Sequence, residues 1–151
     1  MSFLEVFVMS LIPTFEGRYA VVYGIQRGYG IFESIMAAIL GVIILSLVLP
    51  YALPYIDKIM ELLMSTPLGK ISKLYIYYLE RTRKKASPYV KKWGFLGLVV
   101  FVAIPLPGTG IWTGSLAAYV LGIDKKSTIP ALLIGGLLSL AITTLPTISL
   151  H

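Results

Sequence analysis

The chain is predicted to be an all-α integral membrane protein built from two oppositely oriented repeats joined by a basic segment. Three observations carry this reading. Hydrophobic residues make up 57% of the 151 residues and charged ones only 13%, with a mean hydropathy of +0.85, well outside the composition of soluble domains. Two apolar runs are long enough to cross a bilayer, while four others are about half that length. The short runs come in pairs, each pair joined by a Pro/Gly-rich break and followed by a long run.

A bilayer core of roughly 30 Å needs about 20 helical residues. Phe3 to Ile12 and Tyr19 to Ile25, separated by PTFEGR, each cover about half of it at a rise of roughly 1.5 Å per residue. A re-entrant hairpin that enters and leaves on one side is the economical form for such a pair. Ile31 to Leu53, interrupted only by Glu33, Ser46 and Pro50, is then the first spanning helix. Phe95 to Ile104 and Ile111 to Leu121, separated by PLPGTG, give a second re-entrant hairpin. Ser127 to Leu150 spans again, with Pro130 suited to a first turn and Pro146 to a kink.

Between the halves the charge is concentrated. Eight of the thirteen Lys and Arg residues fall from Lys70 to Lys92. Beside strongly apolar flanks this pattern reads as a cytoplasmic segment obeying the positive-inside rule, and nucleic-acid binding is not expected. Ile71, Leu74, Tyr75 and Tyr78 follow helical spacing while Lys70, Lys73, Tyr77, Arg81 and Lys84 take the other side. That describes an amphipathic helix on the membrane surface, facing anionic lipid head groups. The single domain 1–151 therefore divides into a first repeat (1–54), a basic connector (55–92) and a second repeat (93–151). Ile12-Pro13 and Gly30 recur as Ile104-Pro105 and Gly122 after a shift of 92 residues, and with two further residues Gly41 falls on Gly135. A cytoplasmic connector opposes the two hairpins, an inverted-repeat pattern with broken helices that suits secondary transporters. The expected location is the cytoplasmic membrane of a prokaryote. The chain opens MSFLEVF without a basic start, so its N-terminus is read as part of the mature protein.

The charges inside the breaks mark the candidate site. Glu16 and Arg18 lie at the tip of the first hairpin, where ionised groups cost several kcal/mol unless paired or hydrated. A structural ion pair and a solvated substrate or proton site are the competing readings, and Thr14 and Gly17 with the free helix ends favour the second. In PLPGTGIWTG, Pro105 and Pro107 remove backbone donors, Gly108, Gly110 and Gly114 permit tight turning or close packing, and Thr109 and Thr113 add hydroxyls. Either these residues merely shape the hairpin, or the carbonyls and amides freed there face a substrate near Glu16. Pro13, Gly17, Trp112, Thr143 and Thr144 are supporting candidates, the two threonines either facing the cavity or bonding back to their own helix. There is no cysteine, and the lone histidine is His151. No metal site, cofactor or set of catalytic residues is expected, so the chain does not read as an enzyme.

IPTFEGRYAVVYG together with IPLPGTGIWTGSLAAYVLGI resembles the family of small multidrug export proteins over nearly the whole chain. That family is similar in plan to the DedA superfamily of VTT/SNARE-associated membrane proteins, whose paired re-entrant hairpins serve proposed polyprenyl-phosphate flippases and lipid scramblases. The resemblance implies that Glu16 is the acidic position of the first hairpin and Pro107-Gly108 the Pro-Gly of the second. DedA proteins typically carry arginines three residues before and after that proline. Here those positions are Ile104 and Gly110, and Arg18 is the group that can supply positive charge from the other hairpin.

The expected function is transport of a small or amphipathic substrate at a polar site between the hairpin tips, with proton or ion coupling through Glu16. Lipid movement, a DedA-like flippase or scramblase, is the alternative, and a non-transporting membrane scaffold is a third. Two spanning helices and two hairpins enclose little volume, and Gly41, Gly135 and Gly136 allow close contacts, so a homo-oligomer is expected.

Overall fold

Seven helices account for all regular structure in the computed structural model, which describes residues 2–13, 15–106 and 109–150. They are α1 (Ser2–Leu11), α2 (Glu16–Gln26), α3 (Ile31–Leu63), α4 (Gly69–Trp93), α5 (Phe95–Ala103), α6 (Ile111–Val120) and α7 (Lys125–Ser149). The paired short runs are α1 with α2 and α5 with α6. Two helices, α3 and α7, are long and apolar enough to cross a membrane.

The helices begin and end where backbone chemistry requires it. Gly94 (φ 60°), Gly110 (φ 113°) and Gly122 (φ 74°) turn the chain at the borders of α5 and α6 in a conformation that side chains disfavour. The first spanning run was expected to stop at Leu53, but α3 continues through Pro50 and Pro54 to Leu63. Each proline costs one intrahelical bond yet keeps a helical φ, and the added turns are held from outside: Ser72 Oγ donates to Met60 O at 2.6 Å. Both halves of the chain fold back on themselves. Glu5, near the start of α1, accepts hydrogen bonds from the hydroxyls of Tyr23 and Tyr29, each at 2.5 Å, so α1 and α2 run antiparallel. Phe101 packs with Ala117, and Val102 lies against Gly114, so α5 and α6 do the same.

Packing follows the logic of a bundle in which small residues let helices approach, since apolar burial alone distinguishes little between a neighbour and lipid. A Cβ at Gly41 would overlap Ser10 of α1, and one at Gly135 would meet Val102 Cβ of α5 at 2.7 Å. Gly17 brings α2 within reach of Ala38 and Val42, and Gly136 brings α7 against Ile111 and Val42. Around these contacts α3, α5, α6 and α7 share the largest apolar cluster, centred on Val42, Leu98, Val102, Ile111 and Leu132. In its element contacts α1 packs on α3 as α5 packs on α7, and α2 on α7 as α6 on α3.

The basic helix forms as predicted, over Gly69–Trp93 with Lys91 and Lys92 in its last turn. Its apolar stripe does more than cover a surface. Ile71, Leu74, Tyr75 and Tyr78 form one wall of a large cavity against α2, α3 and α6.

Candidate functional site

The breaks in the two helical hairpins meet inside the bundle. Glu16 opens α2 with φ at 51°, the one positive value for a residue other than glycine among the described residues. A left-handed residue of this kind costs about 1–2 kcal/mol and persists where its surroundings hold it. Here the side chain is held at both oxygens: Oε2 accepts from the Ile111 amide and Oε1 from the Trp112 amide, each at 3.1 Å. These are the first two residues of α6, where N–H groups have no intrahelical acceptor and the helix dipole favours an anion. Glu16 thus caps a helix 95 residues away in sequence. It is 3% exposed.

Arg18 does the complementary thing. It is 4% exposed, and its Nη1 donates to Ile104 O at 3.0 Å and to Thr109 Oγ1 at 3.2 Å. Its Nη2 donates to Leu106 O at 3.2 Å and Thr109 O at 2.6 Å. The cation therefore gathers carbonyls released where α5 ends, at the negative pole of that helix. Arg18 Nε lies 3.9 Å from Glu16 Oε2, an ion pair at the long limit of contact, and the guanidinium carbon sits 4.9 Å from the centre of the Tyr19 ring. Gly110 makes room for both charges. A Cβ there would overlap Glu16 Oε2 and come within 2.9 Å of Arg18 Nη2.

Two further bonds close the junction. Trp112 Nε1 donates to Leu11 O, the end of α1, at 3.2 Å, and Tyr19 Oη donates to Pro105 O at 3.2 Å. Carbonyls and amides of the second break face the charges of the first, with a division of labour: amides to Glu16, carbonyls to Arg18. Thr109 contributes both its oxygens, and its hydroxyl also lies 2.5 Å from Ile104 O.

Beside this junction lies a cavity of about 970 Å³, at the upper end of the volumes typical of ligand sites. From α2 and the residue just before it, the cavity receives Phe15, Tyr19, Val22, Tyr23 and Gln26, one helical face. Leu53, Ile56 and Met60 line it from α3, and Trp112, Thr113 and Leu116 from α6. Arg18 is the one ionised side chain in its described wall, which also includes Pro13 and Thr109. The lining from Phe15 to Gln26 alone covers about 16 Å of helix axis.

The remaining candidates separate clearly. Thr113 and Pro13 line the cavity, while Gly17 serves the α2–α3 contact. Thr143 bonds back to Ser139 O and Leu140 O rather than facing the cavity, and the Thr144 hydroxyl is buried without a hydrogen-bond partner. Thr14, Pro107 and Gly108 lie outside the described residues, as does His151. Sequence reasoning missed Tyr19, Tyr23, Gln26 and the α3 wall. The α2 positions carried a usable signal, since Phe15, Tyr19, Val22, Tyr23 and Gln26 recur at helical spacing on one face. The α3 positions carried none, because only the fold brings them opposite.

Among the described residues, two helices are long and apolar enough to cross a membrane, and two pairs of short ones are joined at breaks where Glu16 and Arg18 meet helix ends, the marks of a small helical membrane protein. A family model described as "Putative small multi-drug export protein" matches residues 16–142, and the chain belongs to that family. No curated protein and no solved structure gives a match.

Proposed function

We propose that the protein moves an amphipathic substrate across the membrane through the cavity beside the Glu16–Arg18 junction. The observation that carries this reading is the cavity itself: large, mostly apolar, rimmed by tyrosines, and passing a buried arginine where two pairs of broken helices meet. In this reading α1–α2 and α5–α6 are re-entrant hairpins entering from opposite sides, α4 lies at the cytoplasmic face with its lysines on anionic lipid head groups, and copies of the chain associate. The exchange of partners between halves supports the inverted repeat, since α1 on α3 matches α5 on α7, and α2 on α7 matches α6 on α3. So does the detail of the glycine contacts. Ser10 seats on Gly41 as Val102 seats on Gly135, and these are equivalent positions under the repeat. No chemical transformation is assigned to the site.

The junction serves as the hinge point and selectivity wall of the pathway. Its charges hold the two tips together through helix-end groups, and Arg18, the residue that would replace the DedA arginines, presents positive potential to the cavity. A second reading, lipid movement, is favoured by one specific feature: Ile71, Leu74 and Tyr78 line the cavity while remaining exposed, as a groove open to the side requires. Acyl chains would then stay in the bilayer while a head group passes Arg18.

The test is transbilayer movement of a labelled phospholipid, a polyprenyl phosphate and a soluble amphiphilic dye in liposomes holding purified protein. Leu116→Trp narrows the cavity from its α6 wall while leaving both charged residues in place. Loss of movement in that variant with the fold retained supports the pathway, and the species that moves decides between solute and lipid. If nothing moves with wild type, and Glu16→Gln alters stability alone, the scaffold reading takes over.

A further inference from the structure

A second, much smaller cavity lies at the junction, lined from α2, α3, α5, α6 and α7, with a volume of about 10 Å³. That is close to the smallest space that admits one water molecule, roughly 10–15 Å³ on the same measure. Its walls include Glu16, Arg18 and Ser139, with Gly110 and Gly136 supplying bare backbone. Arg18 is common to the linings of both cavities.

Hydrogen-bond accounting shows what this chamber lacks. A guanidinium carries five N–H donors. Four of Arg18's are given to Ile104 O, Leu106 O and Thr109. The fifth, on Nε, is buried without a hydrogen-bond acceptor, since Glu16 Oε2 stands at 3.9 Å. Ser139 Oγ, the one hydroxyl that α7 brings to the chamber, is also buried without a partner. Each carboxylate oxygen of Glu16 accepts one amide and can accept more. A donor, an acceptor and a hydroxyl thus belong to residues that line one space too tight for a solute.

We propose that the chamber is a binding site for a single water molecule, which accepts from Arg18 Nε–H and donates to Glu16 Oε2 and Ser139 Oγ. Three partners is the usual number for a buried water. A cation is disfavoured there by the guanidinium in the wall, and an anion by the carboxylate. The water brings the spanning helix α7 into the junction, because Ser139 otherwise makes no bond to either charge. It also makes that link exchangeable, since α7 is tied to the tips through a solvent molecule rather than a direct side-chain bond.

The experiment is a map of the full-length protein in lipid, at a resolution that shows ordered solvent, for wild type, Ser139→Ala and Ser139→Val. The expected result is one peak in wild type within about 2.7–3.2 Å of all three partners. It should weaken in Ser139→Ala, where one partner is gone, and be lost in Ser139→Val, whose methyl groups fill the chamber. No peak in a wild-type map that shows other buried waters overturns the proposal, and so does a peak with anomalous signal after exchange into rubidium or caesium salt. Persistence of the peak unchanged in Ser139→Val also overturns it. Should either variant fail to fold, the wild-type map and the salt exchange still decide.

Discussion

Glu16→Gln removes one charge and little volume, so it isolates what the carboxylate does at the start of α6. In wild type both oxygens take an amide, at 3.1 Å each. Glutamine keeps one acceptor and turns a donor toward the other amide. One charge-assisted bond worth roughly 1.5–3 kcal/mol is lost, and the survivor weakens to the neutral range of about 0.5–1.5 kcal/mol. Arg18 also loses its counter-charge at 3.9 Å, where an effective dielectric near 20 gives about 4 kcal/mol of attraction. Relief of carboxylate desolvation, several kcal/mol, offsets much of the sum. The expected net loss is roughly 2–4 kcal/mol. The assay is reversible unfolding in mixed micelles by added denaturing detergent, run as a cycle with Arg18→Met. The double variant should lose less than the sum of the singles, because each single strands the other charge. Glu16→Gln and Arg18→Met that are each neutral, with no coupling, would refute the helix-end argument.

Gly110→Ala should be at least as damaging, about 3 kcal/mol or more, since it adds strain at φ 113° and pushes a Cβ into Glu16; the same unfolding assay checks it. Trp112→Phe removes the bond to Leu11 O and should cost roughly 1–2 kcal/mol while leaving the Glu16 contacts in place, which amide hydrogen exchange at Ile111 and at position 112 reports. Burial and the neighbouring Asp57 charge hold the Tyr75 phenol protonated beyond its ordinary value of 10.0. The unfolded chain then releases that proton first, so stability should fall as pH rises above about 10, with a smaller fall in Tyr75→Phe. Exchanging the charges, Glu16→Arg with Arg18→Glu, keeps the net charge and an ion pair but sets a cation on amides and a carboxylate on carbonyls. It should fail to fold, and a swapped protein of wild-type stability would show that the pair matters rather than its direction.

Much of the plan was legible because bilayer thickness and helix rise convert directly into run lengths. The two long runs, the four short ones and the breaks at Pro13 and Pro105 could be counted off. Gly110 could be singled out too, though only as a turn. Its second duty, leaving space for Glu16 and Arg18, depends on a contact across 94 residues of chain that no local pattern encodes. The extension of α3 past Leu53 was illegible for a different reason. Two prolines argue against helix locally, and the bond from Ser72 that helps to hold the added turns comes from another element. The apolar stripe of α4 was read correctly in spacing and incompletely in use, because hydrophobic periodicity says which face is apolar and not whether it meets lipid or a cavity.

The order of residues in EGR carries a further consequence. Charges buried at mid-bundle are expensive, and an isolated ion pair at 3.9 Å would not offset their desolvation. What stabilises them is that each meets a helix end of opposite polarity: the carboxylate meets amides of α6 that have no intrahelical acceptor, and the guanidinium meets the turn carbonyls of Ile104, Leu106 and Thr109 after α5, which keep lone pairs beyond the bonds they take within the turn. Breaking the second hairpin presents those amides and carbonyls, and breaking the first places the charges that meet them. The same saturation limits the role Arg18 can play toward a substrate, since its four Nη donors are already given to Thr109 and carbonyls. A head group entering the large cavity would meet its field rather than its hydrogens. Direct binding would have to withdraw donors from the α5 end, loosening the junction at the moment of occupancy. Recognition and opening would then be one event, with Arg18 facing both the cavity and the small chamber against α7.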